Sequence, residues 1–237
     1  FMRPIYRRPD AKYVFHMQDD TRSPKRYVYS PVISDLKKVV SIGDVVWTCG
    51  VNGVILHSTD GGLNWKNQKS NTVLALNAVQ FLDQNTGVIA GEDGVILQTN
   101  DGGATWTDRS VVTSEDLFSL DFSSQANGVV VGTNGLLIRT TNGGTSWNSP
   151  NSRTARNIRS VDLYDANIGV AVGDSGLIIK TTDGGASWSL IASITTKHLN
   201  DVQFVNSSIL YAVGTNLTIL KSTDSGDSWS IVQSSPS

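Results

Sequence analysis

A glycine-rich turn closed by tryptophan occurs five times in this chain at a constant spacing. The copies read STDGGLNW, TNDGGATW, TTNGGTSW, TTDGGASW and STDSGDSW, and each lies 41 residues from the next. A repeat at a fixed period indicates one supersecondary unit per copy, so five units fill residues 33–237 and residues 1–32 stand outside them. The third and last positions of the turns are Asp60, Asp101, Asn142, Asp183 and Asp224, and Trp65, Trp106, Trp147, Trp188 and Trp229.

Each unit contains four short apolar or alternating segments. In the second unit these are LNAVQF, TGVIAG, GVILQT and a last segment opened by Trp106. A period of two residues predicts strands, and Gly-centred turns predict antiparallel neighbours. Four strands in about 40 residues is the size of one propeller blade. We therefore predict an all-β fold, a β-propeller of five 41-residue four-stranded blades. The alternative is an open stack of hairpins, which would need caps that the sequence does not show.

The repeated turn has a structural explanation. Its Asp or Asn side chain can accept hydrogen bonds from nearby backbone amides, while its glycines take positive φ. The tryptophan covers the turn and packs between strands, and its indole N–H needs an acceptor when buried. A catalytic residue is normally needed once, so five copies favour a structural role for the whole set.

The pattern Ser/Thr-x-Asp-x-Gly-x-x-Trp is the Asp-box, or BNR repeat, of sialidase-like propellers. The fuller run GVAVGDSGLIIKTTDGGASW resembles the photosystem II stability and assembly factor group. The resemblance covers residues 33–237, with Asn142 and Ser225 in place of the usual Asp and Gly. It implies a propeller with a protein partner. The group has seven blades, so five repeats imply either a smaller ring or missing blades.

The resemblance also implies export to a periplasmic, lumenal or extracellular location. The first residues, FMRPIYRRPD, lack the apolar core of a signal peptide. The sequence contains no stretch apolar enough to predict a membrane span.

Glycoside hydrolysis is the enzymatic alternative that sialidase-like propellers suggest. Retaining hydrolysis needs two carboxyl groups about 5 Å apart, and the glutamates of the chain are only Glu92 and Glu115. No acid, base and nucleophile set is evident. We therefore expect no catalytic residue, which leaves glycan binding or hydrolysis as a minor alternative.

Cysteine and histidine are scarce. Cys49 aligns with small apolar residues and is predicted to be a buried, inert thiol. His57 aligns with Gln98, Arg139, Lys180 and Lys221, which predicts an outward-facing polar position. With one cysteine and three histidines, we expect neither a metal site nor a cofactor.

Charge is unevenly distributed along the chain. Residues 1–40 carry nine Lys/Arg and four Asp/Glu, a net of +5, whereas residues 41–237 carry ten and seventeen, a net of −7. The acidic body argues against a nucleic-acid partner. Within that body, Arg153, Arg156 and Arg159 form a local cluster that is suited to binding carboxylates of a partner. The alternative is a solvated loop. In the assembly-factor group an arginine-rich patch is associated with partner binding.

Residues 1–32 form a basic, aromatic N-terminal arm, and Tyr and Arg together favour interfaces. The arm can also be read as a hairpin that completes the ring as a partial blade. The function predicted from the whole chain is a non-enzymatic protein-binding scaffold, and the alternative is a structural subunit of a virion or extracellular assembly, docked through this arm. The candidate binding residues of the arm are Arg7, Arg8, Tyr13, Arg26 and Tyr27.

Overall fold

The computed structural model describes residues 34–232, so the N-terminal arm lies outside the described residues. Those residues form five antiparallel sheets, one for each repeat. We number the sheets as blades one to five. Blade one contains β1 (Leu36–Ile42), β2 (Val45–Gly50), β3 (Ile55–Ser58) and β4 (Lys66–Gln68). Blade two contains β5 (Leu76–Phe81), β6 (Gly87–Gly91), β7 (Ile96–Thr99) and β8 (Thr107–Asp108).

Blades three to five repeat this order, with each strand paired to the next along the chain. Blade three contains β9 (Leu117–Phe122), β10 (Gly128–Gly132) and β11 (Leu137–Thr140). Blade four contains β12 (Ile158–Leu163), β13 (Gly169–Gly173), β14 (Ile178–Thr181) and β15 (Ser189–Leu190). Blade five contains β16 (Leu199–Phe204), β17 (Leu210–Gly214), β18 (Ile219–Ser222) and β19 (Ser230–Ile231). The predicted all-β fold of five blades is confirmed.

Blade three departs from the predicted four strands. Its outer segment makes only an isolated bridge, between Arg139 and Asn148. In blade two the backbone N–H of Arg109 donates to Ile96 O at 2.8 Å. The equivalent residue in blade three is Pro150, which has no N–H to donate. The Ser149 hydroxyl donates to Leu137 O instead, at 3.0 Å.

The hydrophobic core lies between blades. Each of four clusters joins one face of a blade to the opposing face of the next. Between blades one and two, for example, Trp47 and Cys49 pack with Leu76 and Val79. Cys49 is fully buried, and burial raises the pKa of its thiol to about 12, as expected for an inert core residue.

The two ends of the row of blades lack such a partner within residues 34–232. Val213 of blade five is 44% exposed, although its counterpart in each of the other blades is fully buried. On blade one, Leu36 and Val39 are 50% and 63% exposed, whereas Leu76 and Val79, which pair with the same positions of the second strand in blade two, are buried. The described residues therefore form five consecutive blades without a closing contact of the same kind.

The connections place two kinds of loop at opposite ends of the blades. The Asp-box turns follow the third strands and bond to the hairpins between first and second strands, as where Gly102 N donates to Asn85 O at 2.9 Å. We call this the turn end. The loops between blades and the turns after the second strands, such as Asp174–Gly176, lie at the other end, which we call the loop end. None of the described residues belongs to a helix long and apolar enough to cross a membrane.

Candidate functional site

The loop that leads into blade four holds the first two predicted arginines. Ser152 is buried and donates its hydroxyl to Gly135 O at 2.6 Å, which fixes the loop against blade three. Arg153 follows with φ of 62°, and its N–H bonds to Asn151 at 2.7 Å. The Thr154 hydroxyl accepts from Arg156 N at 3.0 Å. These local bonds leave the Arg153 and Arg156 side chains exposed, and within residues 34–232 neither guanidinium has an ionic or hydrogen-bonding partner.

Arg159 lies at the start of β12 and is already paired. Its guanidinium donates to Asp174, whose carboxylate also meets His198 Nδ1 and Asn157 Nδ2, each at 2.9 Å. Partial burial raises the pKa of Asp174, but hydrogen bonds and charges from Arg159 and His198 outweigh it and lower the pKa overall. Asp174 thus joins Arg159 of blade four to His198 at the edge of blade five.

His198 and its neighbour Lys197 add to the predicted cluster. Both are exposed on the loop leading into blade five. Lys197 lies 41 residues after Arg156, at the equivalent position of the next unit, so alignment of the repeats is the pattern that would have found it. We call Arg153, Arg156, Arg159, Lys197 and His198 the basic patch.

Blades two and three carry acidic residues at the same end. Glu115 accepts hydrogen bonds from Thr133 and Asn134, and these lower the pKa of its carboxyl. Asp116 accepts from Asp93 N at 3.3 Å, and Glu92 accepts from Ala75 N at 3.0 Å. The loop end is therefore divided into an acidic part on blades two and three and a basic part on blades four and five.

The first strands of the five blades line a second candidate site, a cavity of about 270 Å³ whose wall includes Asp121 and Asp162. Desolvation raises the pKa of both carboxyls, that of Asp162 to about 6, with the charge of Asp121 contributing to Asp162. A raised carboxyl pKa suits a proton donor. Both carboxylates, however, accept a backbone N–H of the next blade, from Leu163 and Phe204 respectively. Their geometry links consecutive blades.

The Asp-box residues form the same hydrogen-bonded turn in every blade. In blade two, Thr99 donates to Asp101 at 2.8 Å and accepts from Gly103 N at 2.8 Å, while Asp101 accepts from Thr105 N at 2.8 Å. In blade three, Asn142 Oδ1 accepts from Ser146 N at 3.0 Å, and its amide donates to the Ser146 hydroxyl. Asp60, Asp183 and Asp224 repeat the arrangement of Asp101.

The tryptophans of these turns differ in burial and bonding. Trp106, Trp188 and Trp229 are buried, whereas Trp65 and Trp147 are half-buried. Trp188 and Trp229 donate to Gly185 O and Gly226 O at 3.2 and 3.1 Å. The indole nitrogen of Trp147 is buried without a partner among the described residues.

The prediction that the His57 position faces outward is wrong. Gln98 and Lys180 are buried, because the side chain at this position reaches the Asp-box turn of the next blade. Gln98 donates to Gly143 O and Arg139 to Gly184 O, both at 2.6 Å. Lys180 donates to Asp227 at 2.7 Å.

Other predicted site residues stay untested by the geometry. Arg7, Arg8, Tyr13, Arg26 and Tyr27 lie outside the described residues. Within the described part of the chain, no group of three or more His, Cys, Asp or Glu residues could hold a metal ion.

Comparison with known families identifies the fold's relatives. The sequence profile of the photosynthesis system II assembly factor YCF48 matches residues 33–99, 65–151 and 105–196. This chain belongs to the YCF48 family. A search among curated proteins gave no significant match.

Solved structures of the YCF48 family share the architecture. The structure of YCF48 bound to D1 peptide has a TM-score of 0.67 at 20% identity, covering 85% of this chain and 68% of that one. YCF48 from Cyanidioschyzon merolae has a TM-score of 0.68 at 20% identity, covering 84% and 72%. An ancestral GH74 enzyme has a TM-score of 0.72 at 20% identity, covering 84% of this chain but 31% of the enzyme. At such identities these likenesses show the fold alone.

Proposed function

We propose that this chain is a non-enzymatic scaffold that binds a protein partner through the basic patch at the loop end. The observation that carries this proposal is the pair of exposed guanidiniums, Arg153 and Arg156, without partners in residues 34–232. Arginine binds carboxylates through two parallel hydrogen bonds. A partner with Asp or Glu side chains, or a free carboxyl terminus, therefore fits this surface.

Two further observations support a protein partner. A related propeller has been solved as YCF48 bound to D1 peptide, so peptide binding occurs within the family. The acidic part of the loop end, with Glu115 and Asp116, would repel the acidic groups of a protein partner and so direct them to the basic patch. We also propose an exported location, because the family resemblance implies it. The N-terminal arm adds a second contact in this proposal, through its basic and aromatic residues.

Binding of an acidic peptide tests the site. Fluorescence anisotropy should compare the full chain with a full-length Arg153→Ala/Arg156→Ala variant, using an acidic peptide and its Asn/Gln counterpart. We expect the variant to bind the acidic peptide at least about tenfold more weakly, since charge-assisted bonds are lost. Lys221→Ala, on the far face of blade five, is the matched control. Unchanged affinity in the double variant would overturn the basic patch as the site.

A separate assay tests the absence of catalysis. The full chain should not hydrolyse a sialoside, the substrate class that sialidase-like propellers suggest. Hydrolysis that Asp162→Asn abolished would overturn the non-enzymatic proposal. Full-length Arg7→Ala/Arg8→Ala and Arg26→Ala/Tyr27→Ala variants show whether the arm contributes to peptide binding.

A further inference from the structure

The contact between blades one and two differs from the three that follow it. At the later contacts a long side chain, Gln98, Arg139 or Lys180, spans the gap to the Asp-box turn ahead. Blade one has the shorter His57 at this position. Its ring stacks on Trp47 with centroids 5.0 Å apart. His57 Nε2 is buried and has no hydrogen-bond partner among the described residues.

A cavity of about 620 Å³ lies beside His57 at the turn end. This is within the range of about 300–1,000 Å³ that is usual for small-molecule sites. Strand β4 forms one wall, and the Asp-box turn of blade two forms the other. The Gly102 carbonyl in that turn is already occupied, because it accepts from Trp47 Nε1 and Gln68 Nε2, both at 3.0 Å.

The positively charged side chains in the wall of this cavity are Lys66 and Lys69. Lys66, Asn67 and Lys69 lie along its wall with His57. Neither lysine has an ion-pair partner in residues 34–232. Both lysines are particular to blade one, because the corresponding residues of blades two to four are Thr107, Ser110, Asn148, Asn151, Ser189 and Ala192.

One carboxylate, that of Asp101, also lines the cavity, but its oxygens are used within its own turn. One oxygen accepts from Thr99 and from Thr105 N, and the other accepts from the Thr105 hydroxyl at 2.6 Å. The lining thus carries two lysine side chains and one carboxylate whose oxygens are already hydrogen-bonded, a net charge of about +1 by formal counting. We propose that this cavity binds an oxyanion, a carboxylate or a phosphate group, through Lys66 and Lys69, next to the His57 imidazole.

The imidazole of His57 offers a direct probe of this site. Desolvation and, secondarily, the charge of Lys66 lower its pKa. A bound oxyanion should raise that pKa, since a nearby negative charge favours the imidazolium. NMR titration of the full chain with citrate and, separately, with inorganic phosphate should follow the histidine ring signals. The His57→Gln and His198→Asn variants assign them.

Variants then locate the response. We expect the His57 signal to move with at least one anion. In the Lys66→Ala/Lys69→Ala variant the anion concentration at the titration midpoint should rise about tenfold or more, because binding is weaker. A response to citrate alone assigns carboxylate, and a response to phosphate alone assigns phosphate. A His57 signal that stays fixed with both, or that moves equally in the double variant, overturns the proposal.

A filling substitution gives an independent test. His57→Gln places in this gap the side chain that blade two carries at Gln98, so the protein should fold. The anion affinity reported by the backbone amide shifts of residues 66–69 should then fall about tenfold or more. An unchanged affinity would contradict binding in the space beside His57. The Arg153→Ala/Arg156→Ala variant should leave them unchanged, which separates this site from the proposed loop-end function.

Discussion

The Nζ atom of Lys180 in blade four lies 2.7 Å from a carboxylate oxygen of Asp227 in blade five. The lysine side chain is 8% exposed and the aspartate 65%. Gln98 and Arg139, the equivalent residues of blades two and three, reach the next blade through a glycine carbonyl. Three different side chains thus make a polar contact to the next blade from the same position of the repeat.

Removing the two partners of the Lys180–Asp227 pair should have unequal effects. Asp227→Ala leaves a buried ammonium without its acceptor and should lower the free energy of unfolding by about 1 kcal/mol, a modest value because Asp227 is exposed to solvent. Lys180→Met removes the charge and keeps most of the apolar stem, so it should cost less. Urea denaturation followed by tryptophan fluorescence measures both. A larger loss in Lys180→Met would contradict this assignment.

The sequence was sufficient to predict the blades because each repeat carries its own strand pattern and turn residues. The period of two and the Asp-box turn are local properties, and the five sheets follow from them. Blade three shows the limit of that reasoning, since Pro150 removes one N–H that the outer strand needs. Alignment of the repeats places Pro150 at the Arg109 position, but only the structure shows that the Arg109 N–H bonds to the third strand.

The candidate site was less predictable because it depends on contacts between segments. Arg159 looked equivalent to Arg153 and Arg156 in the sequence, but it pairs with Asp174. The burial of the side chain at the His57 position also depends on the next blade, because the Asp-box turn that covers it belongs to a different repeat. A polar residue in an alternating strand predicts a solvent-facing side chain, whereas Gln98 and Lys180 are buried.

A glycine and a leucine at equivalent positions should respond in opposite directions to substitution. A Cβ on Gly135 would lie 2.0 Å from Thr154 O, and Gly135 has φ of 71°. Leu217 of blade five has φ of 57° and is 87% exposed, with no following loop among the described residues to meet it. Gly135→Ala should therefore destabilise by more than about 1 kcal/mol, whereas Leu217→Gly should be neutral or stabilising, since it relieves a left-handed leucine.

Thermal denaturation of the two variants measures this contrast. The proteins should be compared at one concentration, because exposed apolar surface at the ends of the row can promote association. A destabilising Leu217→Gly change would show that Leu217 contributes a buried contact in solution.

The pKa of Asp162 makes stability depend on pH. Its folded pKa of about 6 is above the ordinary value of 3.8. Its contribution is therefore fully present below about pH 4 and is lost as the pH rises through 6. Asp162→Asn keeps an acceptor for Phe204 N and removes the charge. We expect the variant to gain on the order of 1 kcal/mol over the wild type between pH 4 and 7, discounted for solvent screening.

Urea titrations at several pH values test this expectation. Only the difference between variant and wild type isolates Asp162, because Asp60 and Asp224 act in the opposite direction. Hydrogen bonds within their turns lower the pKa of each to about 2, so their contribution is lost as the pH falls towards that value. A difference that stayed constant with pH would contradict the raised pKa of Asp162.

Two Asp-box tryptophans should differ in their response to loss of the indole N–H. Trp188 donates to Gly185 O at 3.2 Å and is fully buried, so Trp188→Phe should cost about 1–2 kcal/mol from the lost bond and contacts. The Trp147 nitrogen is buried without a partner among residues 34–232, so Trp147→Phe removes an unsatisfied donor and should cost less. Trp188→Ala, at about 3–5 kcal/mol, sets the scale for complete removal. Equal losses for the two Phe variants in urea denaturation would show that the Trp147 N–H is satisfied in solution, for example by water.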